Sequence, residues 1–194
     1  IIGFHKDYFT KAVLERFIKY MTKFMNKTTL EFKIFILYQF DETLPLNLGY
    51  LYNCGFEIAE NEGFTKFIFH DINLLPADNL LSYYKRDSKH PIHLGYNWSG
   101  YIYEIYHLGS IMFNKHNYEE INGYPNNIEG WAGWDHEVIL RLKDAQLIIK
   151  IPSSGDFISN GEKTQINMKK WRQIKKSNII NKHSEEWKQN GLKN

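Results

Sequence analysis

Between Phe9 and Phe24 the large apolar residues fall at Phe9, Val13, Leu14, Phe17, Ile18, Met21 and Phe24, three or four positions apart, which predicts an amphipathic helix over residues 8–25. The apolar start in front of it, Ile1-Ile2-Gly3-Phe4, then reads as the end of a strand. Residues 32–40 form a nearly continuous apolar, β-favouring run, the pattern of a strand covered on both faces. Residues 46–61 read as a helix of weak intrinsic propensity. Residues 65–71 read as a short buried strand ending in polar residues. The order strand, helix, strand, helix, strand predicts an α/β architecture with parallel neighbours joined by right-handed crossovers.

Beyond residue 71 the pattern changes. Residues 92–96 and 109–113 are strand-like, separated by an aromatic, glycine-bearing loop or hairpin that runs to Tyr106. A short helix over 115–121, turn chemistry over 122–127, a helix over 135–143 and a closing strand over 147–151 follow. Residues 165–188 read as a basic helix. No internal repeat or low-complexity linker occurs.

With 194 residues, 23.1 kDa and 43% hydrophobic residues, the chain is long enough for one sizeable core and too short to suggest several domains. The 24% charged and 16% aromatic fractions exclude a disordered chain. One cysteine, Cys54, excludes a disulfide-stapled module and favours a reducing compartment. No apolar run reaches the ~18 residues of a spanning helix, and the start is too short for a signal peptide, so the expectation is a cytoplasmic protein. The chain does not begin with Met, which leaves room for an upstream anchor. Asn26-Lys27-Thr28 and Asn97-Trp98-Ser99 match the glycosylation pattern, but the single cysteine points the other way.

The net charge of +2 conceals an asymmetry. From Glu162 onward nine Lys and Arg face three acids, an excess of six, so residues 1–161 carry −4. The division expected is a domain over 1–161 with a basic extension over 162–194 packed on it. Such an extension suits phosphate groups or an anionic membrane surface, or is simply a solvated helix. Only Trp171 and Trp187 interleave with the basic residues, so a nucleic-acid surface is not expected.

Two clusters carry candidate chemistry. His70-Asp71-Ile72-Asn73 ends a strand, where ligands of open α/β sheets gather, and its acid suits a divalent cation or a ribose hydroxyl. The competing reading is an Asx-type cap on the turn that follows. Gly130-Trp131-Ala132-Gly133-Trp134-Asp135-His136-Glu137 sets two tryptophans among small residues just before a helix, which suits stacking on sugars. The competing reading is an N-cap aspartate with buried tryptophans. His136 and Glu137 read as helix-surface residues, because no zinc spacing is present. No phosphate loop, dinucleotide fingerprint or nucleophile elbow occurs.

Taken together these residues resemble the β-1,4-galactosyltransferase family. Phe67-Ile68-Phe69-His70-Asp71-Ile72-Asn73-Leu74-Leu75-Pro76 is similar to the family's apolar strand with Asp-Val-Asp. Tyr106-His107-Leu108-Gly109 stands where the family has Tyr-Phe-Gly-Gly. Ile121-Asn122-Gly123-Tyr124-Pro125-Asn126-Asn127 and Trp131-Ala132-Gly133-Trp134-Asp135-His136-Glu137 resemble Asn-Gly-Phe-Pro-Asn and Trp-Gly-Gly-Glu-Asp-Asp-Asp, and Arg141-Leu142 matches the Arg-Leu that follows.

The resemblance implies a GT-A fold, a Rossmann-like mixed sheet flanked by helices, and an inverting transfer of galactose or an N-acetylhexosamine from a UDP-sugar to a sugar hydroxyl of a glycan acceptor. It implies Asp135 as general base. Phe4, His5, Asp71, Asn73, Tyr106 and Gly109 fall on the donor side, and Trp131 and Trp134 on the acceptor side. It places a manganese ion at Asp71 and Asn73. Asn73 replaces the family's second Asp, no Met-x-x-His follows between residues 158 and 163, and His5 and Asp7 replace two donor-side arginines. Weak metal binding is therefore expected, with Lys163, Lys169, Lys170 and Arg172 left to meet the diphosphate. The alternative is a catalytically impaired sugar-nucleotide or glycan-binding protein of the same fold.

Overall fold

The computed structural model describes residues 1–6, 9–41, 43–98, 108–130, 133–161 and 187–193. At its centre β3 (Lys66–His70) pairs antiparallel with β6 (Ser110–Asn114), with His70 opposite Ser110. Successive side chains point to opposite faces of a strand. Phe67, Phe69, Ile111 and Phe113 accordingly join one core, with α2 (Leu48–Asn61), α4 (Lys115–Glu120) and α5 (Trp134–Asp144). Ile68 and Met112 join the other, with α1 (Lys11–Met25) and α3 (Leu81–Lys85).

The edges follow from local pairing. β1 (Ile2–Phe4) lies parallel to β2 (Ile36–Tyr38), and Ile1 ties β1 to β3 by accepting from the His70 N–H at 3.1 Å and donating to the Ile68 carbonyl at 2.8 Å. β5 (Ile92–His93) continues the sheet beyond β6. The central sheet thus has the order β3, β6, β5, and the β1–β2 pair is joined to the β3 side through the two Ile1 bonds. A separate pair, β4 (Leu74–Pro76) with β7 (Phe157–Ser159), crosses just after the end of β3.

The helix over the first apolar repeat begins later than its pattern, because Thr10 caps it by accepting from the Val13 N–H. It buries Phe17, Met21 and Phe24, each worth about 1.5–3 kcal/mol relative to exposure. The run at 32–40 is not covered on both faces. Only Ile36–Tyr38 is strand, it lies on the edge of the sheet, and Ile36 and Tyr38 are 39% and 46% exposed. Leu74-Leu75-Pro76 is strand rather than turn. Residues 147–151 supply a single parallel bridge, Lys150 to Ile92, in place of a closing strand. In the basic extension, residues 162–186 lie outside the described residues, and 187–189 form a 3-10 turn. No helix among the described residues is long and apolar enough to cross a membrane.

The weak propensity of α2 has a packing cause. A Cβ on Gly49 would lie 2.1 Å from the Pro125 carbonyl oxygen, and one on Gly55 would meet Ile1 and Leu37. The glycines let the helix lie close against the 122–126 loop on one side and the strands on the other.

Candidate active site

Asp71 follows β3 directly. Its N–H donates to the Gly109 carbonyl at 2.6 Å, its Oδ1 accepts from the Asn73 N–H at 2.8 Å, and its carbonyl accepts from Leu74 N–H at 3.0 Å. The Asx turn is therefore real, and it fixes the carboxylate at the strand end. Gly109 adopts φ 46°, a left-handed conformation that glycine enters without strain.

Behind Asp71 runs a buried polar chain. His70 Nδ1 lies 2.9 Å from the Asp71 carbonyl, which can only accept, so Nδ1 carries the proton. His70 Nε2 then accepts from Tyr84 Oη at 2.8 Å, and Tyr84 Oη lies 3.4 Å from Ser110 Oγ. Burial pushes His70 down to about 3, so the ring is neutral and rigidly placed.

Asp135 arrives from the opposite side. It is the second residue of α5, and the residue before that helix is Gly133, at φ 100° and without a side-chain cap. Asp135 is thus not the N-cap. Its carboxylate accepts instead from the Leu108 backbone N–H. Burial raises it well above the usual carboxylate range; the Leu108 bond opposes this shift and the Asp71 charge adds to it. Asp135 is 5% exposed.

Asp71, Gly109, Trp134 and Asp135 line one cavity of about 30 Å³, together with Gly3, Tyr52 and Tyr124. The sequence assigned no site role to Tyr52, which sits in a weak helix, or to Tyr124, which stands in the Asn122-Gly123-Tyr124-Pro125-Asn126 stretch of the family resemblance but reads there as turn chemistry. Burial holds both phenols well above their ordinary value, with the Asp71 and then the Asp135 charge adding to it at Tyr52 and the Asp135 charge at Tyr124. A larger cavity of about 650 Å³ lies against α1, lined by Phe17, Met21, Phe35 and Phe64; it includes His70 but neither Asp71 nor Asp135. The chemistry therefore points to the smaller one.

Other expected site residues fall elsewhere. Phe4 is buried between Tyr38, 6.0 Å away and stacked, and Phe9 at 6.2 Å. His5 is buried, its carbonyl accepting from the Phe9 N–H. Neither lines the cavity. Trp134 belongs to the core, leaving only its cavity edge to meet a sugar. Tyr106 and Trp131 lie outside the described residues, as do Lys163, Lys169, Lys170 and Arg172. Glu137 is not a surface residue: it is 4% exposed and accepts from Arg141 Nε at 3.1 Å.

For a metal, Asp71 offers one carboxylate and Asn73 a neutral amide. Asn160 supports the same turn, donating through its N–H to the Asn73 carbonyl and through Nδ2 to the Ile72 carbonyl, each at 2.8 Å, and its buried Oδ1 has no hydrogen-bond partner. That oxygen is neutral too. No three His, Cys, Asp or Glu among the described residues converge on a point. A donor set with one charge does not fit a tightly held divalent cation.

Residues 1–86 match the model of the N-terminal region of glycosyl transferase group 7, and residues 90–169 match the model described as the N-terminal domain of galactosyltransferase. Human β-1,4-galactosyltransferase 4 is 27% identical over 190 residues, covering 90% of this chain and 52% of the human protein. Drosophila melanogaster β-1,4-galactosyltransferase 7 is 29% identical over 143 residues, covering 73% of this chain and 44% of the fly protein. This chain therefore spans about half the length of the curated relatives it matches. A crystal structure of a mutant of the Drosophila enzyme in complex with manganese, UDP-galactose and xylobiose superposes with a TM-score of 0.76 at 26% identity, over 100% of this chain and 82% of that one. A second, of its catalytic domain with xylobiose, gives 0.75 at 26% identity and covers 81% of that chain. The site at the end of β3 and the N-terminus of α5 thus lies in a GT-A fold, and the chain belongs to the β-1,4-galactosyltransferase family.

Proposed function

We propose that this chain is an inverting hexosyltransferase that moves galactose or an N-acetylhexosamine from a UDP-sugar to a sugar hydroxyl of a glycan. The observation that carries this reading is the placement of Asp135 at the start of α5, facing Asp71 and Gly109 across one cavity. A sugar hydroxyl is a poor nucleophile until a placed base takes its proton. In the proposed step the acceptor oxygen bonds to the anomeric carbon, the bond from that carbon to the diphosphate breaks, UDP leaves, and the hydroxyl proton passes to an Asp135 oxygen. The Leu108 N–H fixes the direction of that carboxylate. Attack from the side opposite the leaving group inverts the anomeric centre.

Asp71, held by its Asx turn and backed by His70, is proposed to meet the donor. Manganese, present in the Drosophila complex, would supply charge to the leaving diphosphate. Here its residues would be Asp71 and Asn73, and one carboxylate among neutral amides holds it weakly. The proposal assigns part of that charge to Lys163, Lys169, Lys170 and Arg172, and a cytoplasmic setting remains part of it.

The burial of Asp135, which favours its protonated form, is the observation behind a second reading, a sugar-nucleotide-binding protein with impaired transfer. Thermal shifts with UDP-galactose and UDP-N-acetylhexosamines, followed by UDP release with xylobiose as acceptor probe, separate the two. A ligand bound only by the native state raises the melting temperature. Binding with release supports transfer, binding without release supports the second reading, and no binding defeats both.

A further inference from the structure

We propose that residues 187–193 form a docked strap that positions the acceptor side of the site, with Arg141 as the positioning residue that links the strap to the helix carrying Asp135. The proposal rests on the transferase reading for the meaning of "acceptor side". Its contacts do not depend on it.

Arg141 is fully buried on α5, six residues after Asp135. Its fork is used on three segments at once. Nε donates to Glu137, Nη1 donates to the Asn122 and Gly123 carbonyls at 3.0 Å each, and Nη2 donates to the Asn190 carbonyl at 2.6 Å. A lysine has no planar fork with which to reproduce this. The 122–126 loop, in turn, is bonded to the strap along its length. Asn122 Nδ2 donates to the Trp187 and Lys188 carbonyls, the Leu192 N–H donates to the Asn122 carbonyl, and Asn126 binds Asn190 and Gly191.

The same loop holds Tyr124, whose ring faces the cavity beside Asp135. Strap, loop and α5 are therefore one hydrogen-bonded unit, and two of its members border the cavity through Tyr124 and Asp135. On the donor side, Asp71 is fixed by Asn73, Gly109 and His70, none of which contacts the strap in these bonds. Undocking the strap should thus disturb the base and spare donor binding.

Gly191 supplies the lever. A Cβ there would sit 1.9 Å from the Asn122 backbone oxygen, so Gly191→Val forces the strap away without altering any group at the cavity. In the full chain, amide hydrogen exchange should rise in residues 121–126 and 133–137 and stay unchanged in α1 and β3. The transfer rate kcat should fall about tenfold to a hundredfold, the scale of a misplacement near 1 Å, with UDP affinity by calorimetry unchanged. Asn190→Ala, which deletes the side-chain bond to the Asn126 N–H, should give a smaller change in the same direction.

Three results would overturn the proposal: exchange rising across the whole molecule, exchange unchanged at 121–137, or kcat equal to wild type with the strap shown undocked. If the wild-type protein transfers nothing, the transferase reading fails, while the exchange pattern still decides whether the strap orders the helix that carries Asp135.

Discussion

Asp135 is enclosed by protein and feels the charge of Asp71, and these outweigh the opposing backbone N–H bond from Leu108, so the folded state favours its protonated form to a higher pH than the unfolded chain does. Its contribution to stability is therefore present at low pH and is lost as pH rises from about 4, its unfolded value, through its raised folded value. Asn carries no charge and avoids that loss. Asp135→Asn is expected to melt at the same temperature as wild type or higher at pH 7.5, while transfer falls by about a hundredfold or more, the usual scale for a general base. A calorimetric scan and a UDP-release assay on one preparation check both signs. His70 behaves oppositely. Its folded value near 3 lies below the ordinary 6.5, so its contribution is present above 6.5 and is lost as pH falls toward 3. A His70→Gln variant should flatten the acid side of the melting-temperature profile, and an unchanged slope would mean other groups set it. At Asp71, replacement by Ala should weaken UDP binding measured by calorimetry, and equal affinity would remove it from the donor side.

The elements most legible in the sequence were those with a clear period. α1 follows its apolar repeat, and β3 and β6 follow their apolar runs, because both faces of those strands meet a core. The edge strand β2 has an equally apolar sequence, yet no local pattern tells that its outer face has no cover. At the site, Asp71 and Asp135 stood in recognisable motifs. Tyr124 and Arg141 stood in such motifs without an assigned role, and Tyr52 and Asn53 stood in none, since the roles of all four arise from contacts far apart in sequence. Asn53 shows this. Its Nδ2 donates to the Tyr124 carbonyl and to Asn126 Oδ1, and its Oδ1 accepts from the Tyr118 hydroxyl and the Tyr124 N–H, so one buried amide fastens α2 to the loop beside the cavity. Replacing Asn53 with Ala strands several buried polar groups, each costing about 1–3 kcal/mol. Urea unfolding should show a loss of at least about 2 kcal/mol, and a smaller loss would mean that water replaces the amide.

Across the whole molecule the two cores fix a sheet whose strand ends bring Asp71, from β3, opposite Asp135, from α5, although 63 intervening positions separate them in the chain. The motifs that identify the family lie at these two ends, and the GT-A fold is the device that closes the distance between them. At the proposed donor side, Asn73 stands where the family pattern has a second Asp, which removes a charge. Chelation is therefore expected to leave most of the transfer activity in place, and abolition by chelator with full recovery on adding manganese would show a stronger site than one carboxylate provides.

Single displacement with Asp135 as base leaves its mark in the anomeric configuration of the product. An α-linked UDP-hexose incubated with a sugar acceptor should yield, by proton NMR, a β-linked glycoside and free UDP, and Asp135→Asn should yield neither at a comparable rate. An α-linked product, or an undiminished rate with the Asn variant, would contradict it.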